Sequence, residues 1–412
     1  MCKKLLSLAT LTLTFLIFPA ALFCQTVTVL HDFGGIDDGY NPSSALLIDS
    51  AGNIYGTTFT GGGHGCGRQG CGTVYELSPS AGGYTENILF KDFGDTNGEN
   101  PLGGLTMDSA GNLYGITQNG GNSDRGVVYE LSPGAGGIWT ETTVYDFPTA
   151  ATGTSPNCNL IFDNAGNLYG TTSAGGTGNG GVVFQLTPSA GAWTETVLHN
   201  FTPGRYDGNA PCGLILDSAG NLDGVTVFGG TRNYNGAGIV YQLKNSGGTW
   251  TETILHTFPI SGKNLQTPNG GMLFDSAGNL YISMSRGGRG GAGIVELSPV
   301  SGKYVPTPLY SFADLMYPPA PYETLISDSA GNLYTASYNG DDVSCPSFGC
   351  GYIYEISPGS PHWTALRLPF TRHGTAGFQP FGGVAPDGKG NFFVANWGGG
   401  AHSKGTVIEI TP

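Results

Sequence analysis

The chain is poor in charge. Of 412 residues only 16 are Lys or Arg and 30 are Asp or Glu, a charged share of 11% and a formal net charge of −14. That share is less than half the usual one, which excludes coiled coils and long helices laced with Glu–Lys pairs. The scarcity of cations argues against a reader of phosphate backbones, so no nucleic acid partner is expected. It argues equally against electrostatic docking on anionic lipid. Beyond residue 24 there is no long apolar run, so no membrane span is expected in the mature chain. Also missing are a metalloprotease His-Glu-x-x-His, a Gly-x-Ser-x-Gly elbow, a Ser-x-x-Lys and a phosphate-cradling loop. Scattered carboxylates single out no glycosidase pair. No stretch keeps a helical period with caps.

What the sequence has in excess is turn formers, with 71 Gly and 25 Pro. They recur at intervals, so they mark many turns rather than a disordered chain. Residues 1–24 resemble a secretory signal peptide: Lys3 and Lys4 precede the uncharged stretch from Leu5 to Phe23. The expected mature domain is 25–412, exported to the periplasm, the cell surface or the medium. A lipid anchor on Cys24 is the lesser alternative, because Phe23 fits a lipobox poorly.

One unit recurs seven times. Asp-Ser-Ala-Gly-Asn begins at Asp49, Asp108, Asp217, Asp275 and Asp328, with variants at Asp163 and Asp387, at spacings of 53 to 59 residues. Each unit reads as four short strands, rich in aromatic and β-branched residues and bounded by Gly, Asn, Asp and Pro. Four antiparallel strands at this period fit a propeller blade. The fold class is therefore all-β, a seven-bladed β-propeller. Thr26 to Phe33 matches the fourth strand of other units and Gly405 to Pro412 matches a third, so the N-terminal strand is expected to complete the last blade.

Several columns read as structural. The Asp-x-x-Gly-Asn turn lets Asp bond its own backbone while Gly supplies positive φ. A calcium loop is the alternative, but the alternating oxygen ligands are missing. Trp139, Trp193, Trp250 and Trp363 share one column, with Tyr84 and Tyr304, and are expected to wedge blade against blade. Glu86, Glu141, Glu195 and Glu252 are expected to charge an exposed sheet edge. His31, His199 and His256 share a column with Tyr145, Tyr310 and Lys91, which reads as packing or surface. No metal and no cofactor are expected. Cys66–Cys71 and Cys345–Cys350 read as disulfide staples in equivalent loops of blades 1 and 6. Zinc is the rival, prompted by His64, but blade 6 has no matching His. A bridge from Cys158 to Cys212 would tie neighbouring innermost strands, if their Cα atoms lie within about 7 Å.

The strings Gly72-Thr73-Val74-Tyr75-Glu76-Leu77-Ser78-Pro79, Gly126 to Pro133 and Gly181 to Pro188, together with Asp-Ser-Ala-Gly-Asn-Leu-Tyr-Gly, resemble the bacterial choice-of-anchor tandem repeat proteins of the GloVer type. The resemblance covers essentially the whole mature chain. It implies export and a β-propeller, and no activity. A more distant likeness links the Gly-Asn-Leu-Tyr strand to NHL-type and streptogramin-lyase-like propellers.

A site is sought where the repeat breaks. The column just after strand two reads Phe59, Gln118, Ser173, Val227, Ser285, Tyr338 and Trp397, and the next holds Phe228 and Arg286. Arg289, Arg372, His373 and His402 lie in loops expected on the same face. Aromatic faces there would stack on sugars, and Arg would grip carboxylates. The expected function is a non-enzymatic, monomeric propeller binding a glycan or an envelope protein at the channel mouth. The alternatives are a polysaccharide or lactone lyase or hydrolase, with His373 or His402 as acid or base, and a purely structural surface protein.

Overall fold

The computed structural model describes residues 26–411 apart from 36, 64–65, 67–68, 205, 233–235, 261–264, 288–291, 301–302, 313–323, 339, 341–348, 360–361 and 371–374. For 265, 286 and 287 it describes the backbone alone. The leader, and with it Cys24, lies outside the described residues, as do His64, Arg289, Cys345, Arg372 and His373.

Each period forms one antiparallel sheet. Blade 3 shows the plan, with Thr154–Phe162, Leu168–Ala174, Val182–Ser189 and Ala192–Asn200 hydrogen-bonded in chain order. Seven such sheets make the ring. In the last, Thr26–Asp32 runs antiparallel to Thr406–Thr411, from Thr26↔Thr411 to Asp32↔Thr406. The two ends of the described chain are thus joined within one sheet, which ties down segments that would otherwise fray.

Local sequence explains how blades fill and lock. In strand two of blades 1 to 4, Gly56, Gly115, Gly170 and Gly224 lie opposite Tyr75, Tyr129, Phe184 and Tyr241 of strand three. The ring occupies the space a Cβ would need. Blades 5 and 7 fill the same volume with Ile282 opposite Val295 and Val394 opposite Ile408. The pair conserves volume, not identity. Gly170→Val is therefore expected to overpack blade 3 and destabilise by about 1–3 kcal/mol. Adding Phe184→Val should recover most of that loss, measured as urea midpoints at constant m.

Neighbouring blades are latched at a residue before proline. Asn41, Asn100, Ser155, Ala210, Thr267 and Gln379 have φ of 54–60°, a region most side chains avoid. Each donates its N–H to a carbonyl of the preceding blade at 2.7–3.0 Å, as Asn41 does to Lys404 and Asn100 to Cys71. The core lies between blades: Tyr114 and Val128 of blade 2 pack with Leu160, Leu168 and Phe184 of blade 3. The Trp column wedges as expected, Trp193 edge-on to Tyr114 at 5.9 Å and Trp250 to Tyr169 at 6.1 Å.

Four expectations need correcting. The Glu residues do not charge an open edge. Trp and Glu are two apart on the outer strand, so both turn toward the neighbouring blade, and Glu86 and Glu252 are only 16% and 17% exposed. Lys91 is not in the His column; Phe90 is, opposite Val74 as His199 is opposite Val183, because the column lies six residues after the Trp column and Lys91 is seven after Tyr84. That column is also more than packing, since His31 and His199 face carboxylates. Lastly, not every glycine marks a turn. Gly103 packs against Cys158 and Gly213 against Gly270 so closely that no Cβ fits between innermost strands.

Cys66–Cys71 and Cys158–Cys212 are disulfides, with Cα atoms 5.3 and 5.6 Å apart. Cys350 is disulfide-bonded too. No helix among the described residues is long and apolar enough to cross a membrane.

Candidate functional site at the loop-rich mouth

Strand two of each blade ends on one face, beside the loop to strand three and the loop entering the next blade. The Asp turns lie on the other face. There Asp49 Oδ1 accepts from the Ala51 and Asn53 N–H groups at 2.9 Å, and Oδ2 from Asn53 Nδ2 at 2.8 Å and Tyr55 OH at 3.2 Å. Both oxygens are engaged by protein donors, and the Asp–Asn bonds recur in all seven turns. This is a structural turn.

On the loop face, four aromatic rings from three blades meet. Trp397 of blade 7 lies 5.6 Å from Phe59 of blade 1, at 46°. It lies 5.4 Å from Phe381, at 38°. Phe381 meets Tyr338 of blade 6 edge-on, at 5.6 Å. All four are half-buried. Tilted rings of this kind attract by a modest increment beyond burial and leave edges and faces for a ligand. The backbone beneath them is pinned. Asn41 Nδ2 donates to the Trp397 carbonyl and Asn100 Nδ2 to the Phe59 carbonyl, both at 3.0 Å. Beside this arc Lys404 Nζ sits 4.2 Å over the Tyr40 ring, a cation–π contact.

The structure thus brings together Phe59, Tyr338 and Trp397, as the broken column suggested. It does not bring in Phe228, 38% exposed on blade 4, three blades from Trp397. His402 turns outward, its ring over Gly34 and its Nδ1 3.6 Å from Asp32 Oδ1. Arg286 is placed by its backbone alone, opposite Gln266. Phe381 was missed by sequence reasoning. Its signal lies in the residue after the inner-strand proline, which reads Ser43, Leu102, Asn157, Cys212 and Phe381 in blades 1, 2, 3, 4 and 7. In the sequences of blades 5 and 6 the residue after the corresponding proline is Asn269 and Tyr322, so an aromatic stands there only in blades 6 and 7.

Deeper in, the innermost strands enclose a cavity of about 200 Å³ lined by Cys158, Asn159, Leu214, Met272, Thr324 and Leu325 among others, none of them charged. Among the described residues the most deeply buried carboxyl is Asp223, fully enclosed, which replaces the strand-two Tyr in blade 4. Gln242 stands where most blades have Glu and donates to Asp223 Oδ1 at 3.1 Å. Burial pushes Asp223 up to about 7; the Gln242 bond opposes this and the charge of Asp217 adds to it. A raised carboxyl stabilises the fold while protonated, and that stability is lost as pH rises from its ordinary value to its folded one. Asp223→Asn is expected to gain on the order of 2 kcal/mol over wild type at about pH 8, the gap closing toward about pH 4. Denaturant midpoints across that range check it.

The repeat signature decides the family. A profile described as the Gloeobacter/Verrucomicrobia repeat matches residues 16–147, 136–251 and 233–412. The chain belongs to the Gloeobacter/Verrucomicrobia repeat family. No curated protein matches this repeat chain in sequence. Among solved structures, it is similar to an ulvan lyase, a polysaccharide lyase determined with bound sugar (14% identity, 92% of this chain and 94% of that one, TM-score 0.53). It is similar to a protein from Lactobacillus plantarum (14%, 82% and 95%, 0.52). It is also similar to a putative 6-phosphogluconolactonase from Bacteroides uniformis (13%, 80% and 86%, 0.50). At these identities the likeness is one of fold.

Proposed function

We propose that this repeat-family protein is an exported propeller that binds a glycan on the aromatic arc of Phe59, Tyr338, Phe381 and Trp397. The convergence of those four rings from three blades at the loop-rich mouth carries the reading. Sugar rings present apolar C–H faces that pack on aromatic side chains, while loop amides and hydroxyls take the sugar hydroxyls. The pinning by Asn41 and Asn100 supports it, since a platform set before binding costs less ordering. Disulfides accord with an oxidising compartment, and the signal-like leader supports export. The described residues lining the central cavity carry no charge, so the aromatic arc is the feature the binding reading rests on.

A melting-temperature screen against soluble polysaccharides and oligosaccharides tests this. A ligand that binds only the folded state stabilises it by about 2.7 kcal/mol at a hundredfold excess over Kd. One glycan class is expected to give a saturable upward shift. A flat screen, followed by capture of an envelope protein through the same face, would replace the glycan by a protein partner.

A further inference from the structure

Two junctions on the outer rim carry the same three ligand-bearing side chains. Between blades 7 and 1, His31 Nε2 lies 3.2 Å from Asp38 Oδ1 and 3.4 Å from Glu86 Oε1. Between blades 3 and 4, His199 Nε2 lies 3.7 Å from Asp207 Oδ2 and from Glu252 Oε2. Within each group the three candidate ligand atoms lie within 4.8 Å of one another. The positions are equivalent. Each His faces a strand-three Val, each Glu a strand-three Leu, and each Asp precedes the Gly before or at the start of strand one.

The other junctions show what plain blade packing needs here. Between blades 1 and 2 the same places hold Phe90, Asn97 and Glu141, and Asn97 bonds to Glu141. Between blades 2 and 3 they hold Tyr145, Thr152 and Glu195, and Tyr145 bonds to Glu195. One carboxyl and a neutral donor suffice. At the junction of blades 4 and 5, which has His256, the third His of the column, the Glu place opposite the strand-three Leu297 is taken by Pro306. At the two special junctions a second carboxyl arrives together with the His. Buried Glu86 Oε1, Glu252 Oε1 and His199 Nε2 are left without a hydrogen-bond partner, as is Glu195 Oε1 between blades 2 and 3, so the added carboxyl beside an imidazole is what sets the two junctions apart. Each group thus sets two carboxyls against a single imidazole.

We propose that His31, Asp38 and Glu86, and likewise His199, Asp207 and Glu252, each hold a divalent transition cation that clasps two adjoining blades. Two carboxylates and a neutral imidazole balance a dication. One nitrogen and two oxygens suit Zn²⁺ or Mn²⁺. Bonds of about 2.0–2.2 Å in a tetrahedral set put ligand atoms roughly 3.3–3.6 Å apart, close to the observed N–O separations. Part exposure leaves room for water on the open side. The third group of this kind, Cys66, Cys71 and Glu99, is ruled out because its sulfurs are bonded to each other. This inference is independent of the glycan reading.

The test is calorimetric titration of the untagged chain, stripped with EDTA, with Zn²⁺ alone and then Mn²⁺ alone. Two equivalents of one of these ions are expected. Glu252→Gln should leave one, and Glu86→Gln with Glu252→Gln none, each lost site weakened at least about tenfold. Gln keeps the shape and a neutral partner, and a melt confirms folding. Asp38→Asn and Asp207→Asn serve if a Gln variant fails to fold. His402→Ala, outside both groups, should keep two equivalents. No saturable uptake of either ion, or two equivalents retained in the double variant, overturns the proposal.

Discussion

Replacing Cys158 and Cys212 together by Ser is expected to cost about 4 kcal/mol of stability. The bridge spans 54 residues, and closing so long a loop removes much entropy from the unfolded chain. Cys66–Cys71 spans only 5 residues, so its loss should cost about half as much. The place matters as well as the length. Cys158 and Cys212 lie on the innermost strands of blades 3 and 4, where Gly270 packs against Cys212 Sγ. Guanidinium unfolding of the two double-Ser variants checks the contrast. A loss below about 1 kcal/mol for Cys158→Ser/Cys212→Ser would show that inter-blade packing alone holds this side of the ring.

Trp397→Ala is expected to weaken glycan binding at least about 30-fold, the level of a binding hot spot. Trp397 is the hub of the arc, touching both Phe59 and Phe381. Its removal takes the largest apolar face and frees both neighbours. The stability cost should be smaller, about 2 kcal/mol, because the ring is half-buried and the space opens to solvent. For a domain of this size that is a melting shift of a few degrees. Phe228→Ala, on blade 4, should leave affinity within about twofold. Equal losses from the two would place the ligand across the whole mouth instead of on the arc.

The fold was legible because the sequence repeats its own constraints. The Asp turn recurs seven times and sets the blade count, and the match of Thr26 to Phe33 with a fourth strand and of Gly405 to Pro412 with a third sets the closure. The site was legible only in part. Phe59, Tyr338 and Trp397 share a column in a short period, so reading the breaks found them. Phe381 comes from a different strand and joins them only when the inner strand of blade 7 swings past strand two. The His31 and His199 groups were hidden for the opposite reason. Each draws its residues from two blades, so a column read one residue type at a time shows a mixed list of His and Tyr. Its partner carboxylates lie 7 to 55 residues away. Lys91 is offset from the His column by one residue; counted six residues from Tyr84, as His199 is from Trp193, the place belongs to Phe90.

The most direct measurement is a hydrogen-exchange footprint with and without the oligosaccharide that raises the melting temperature. The predicted result is slower exchange in the segments around Phe59, Phe381 and Trp397, with the Asp-turn face unchanged. Protection confined to the Asp-turn face, or spread evenly round the ring, would contradict a binding site on the aromatic arc.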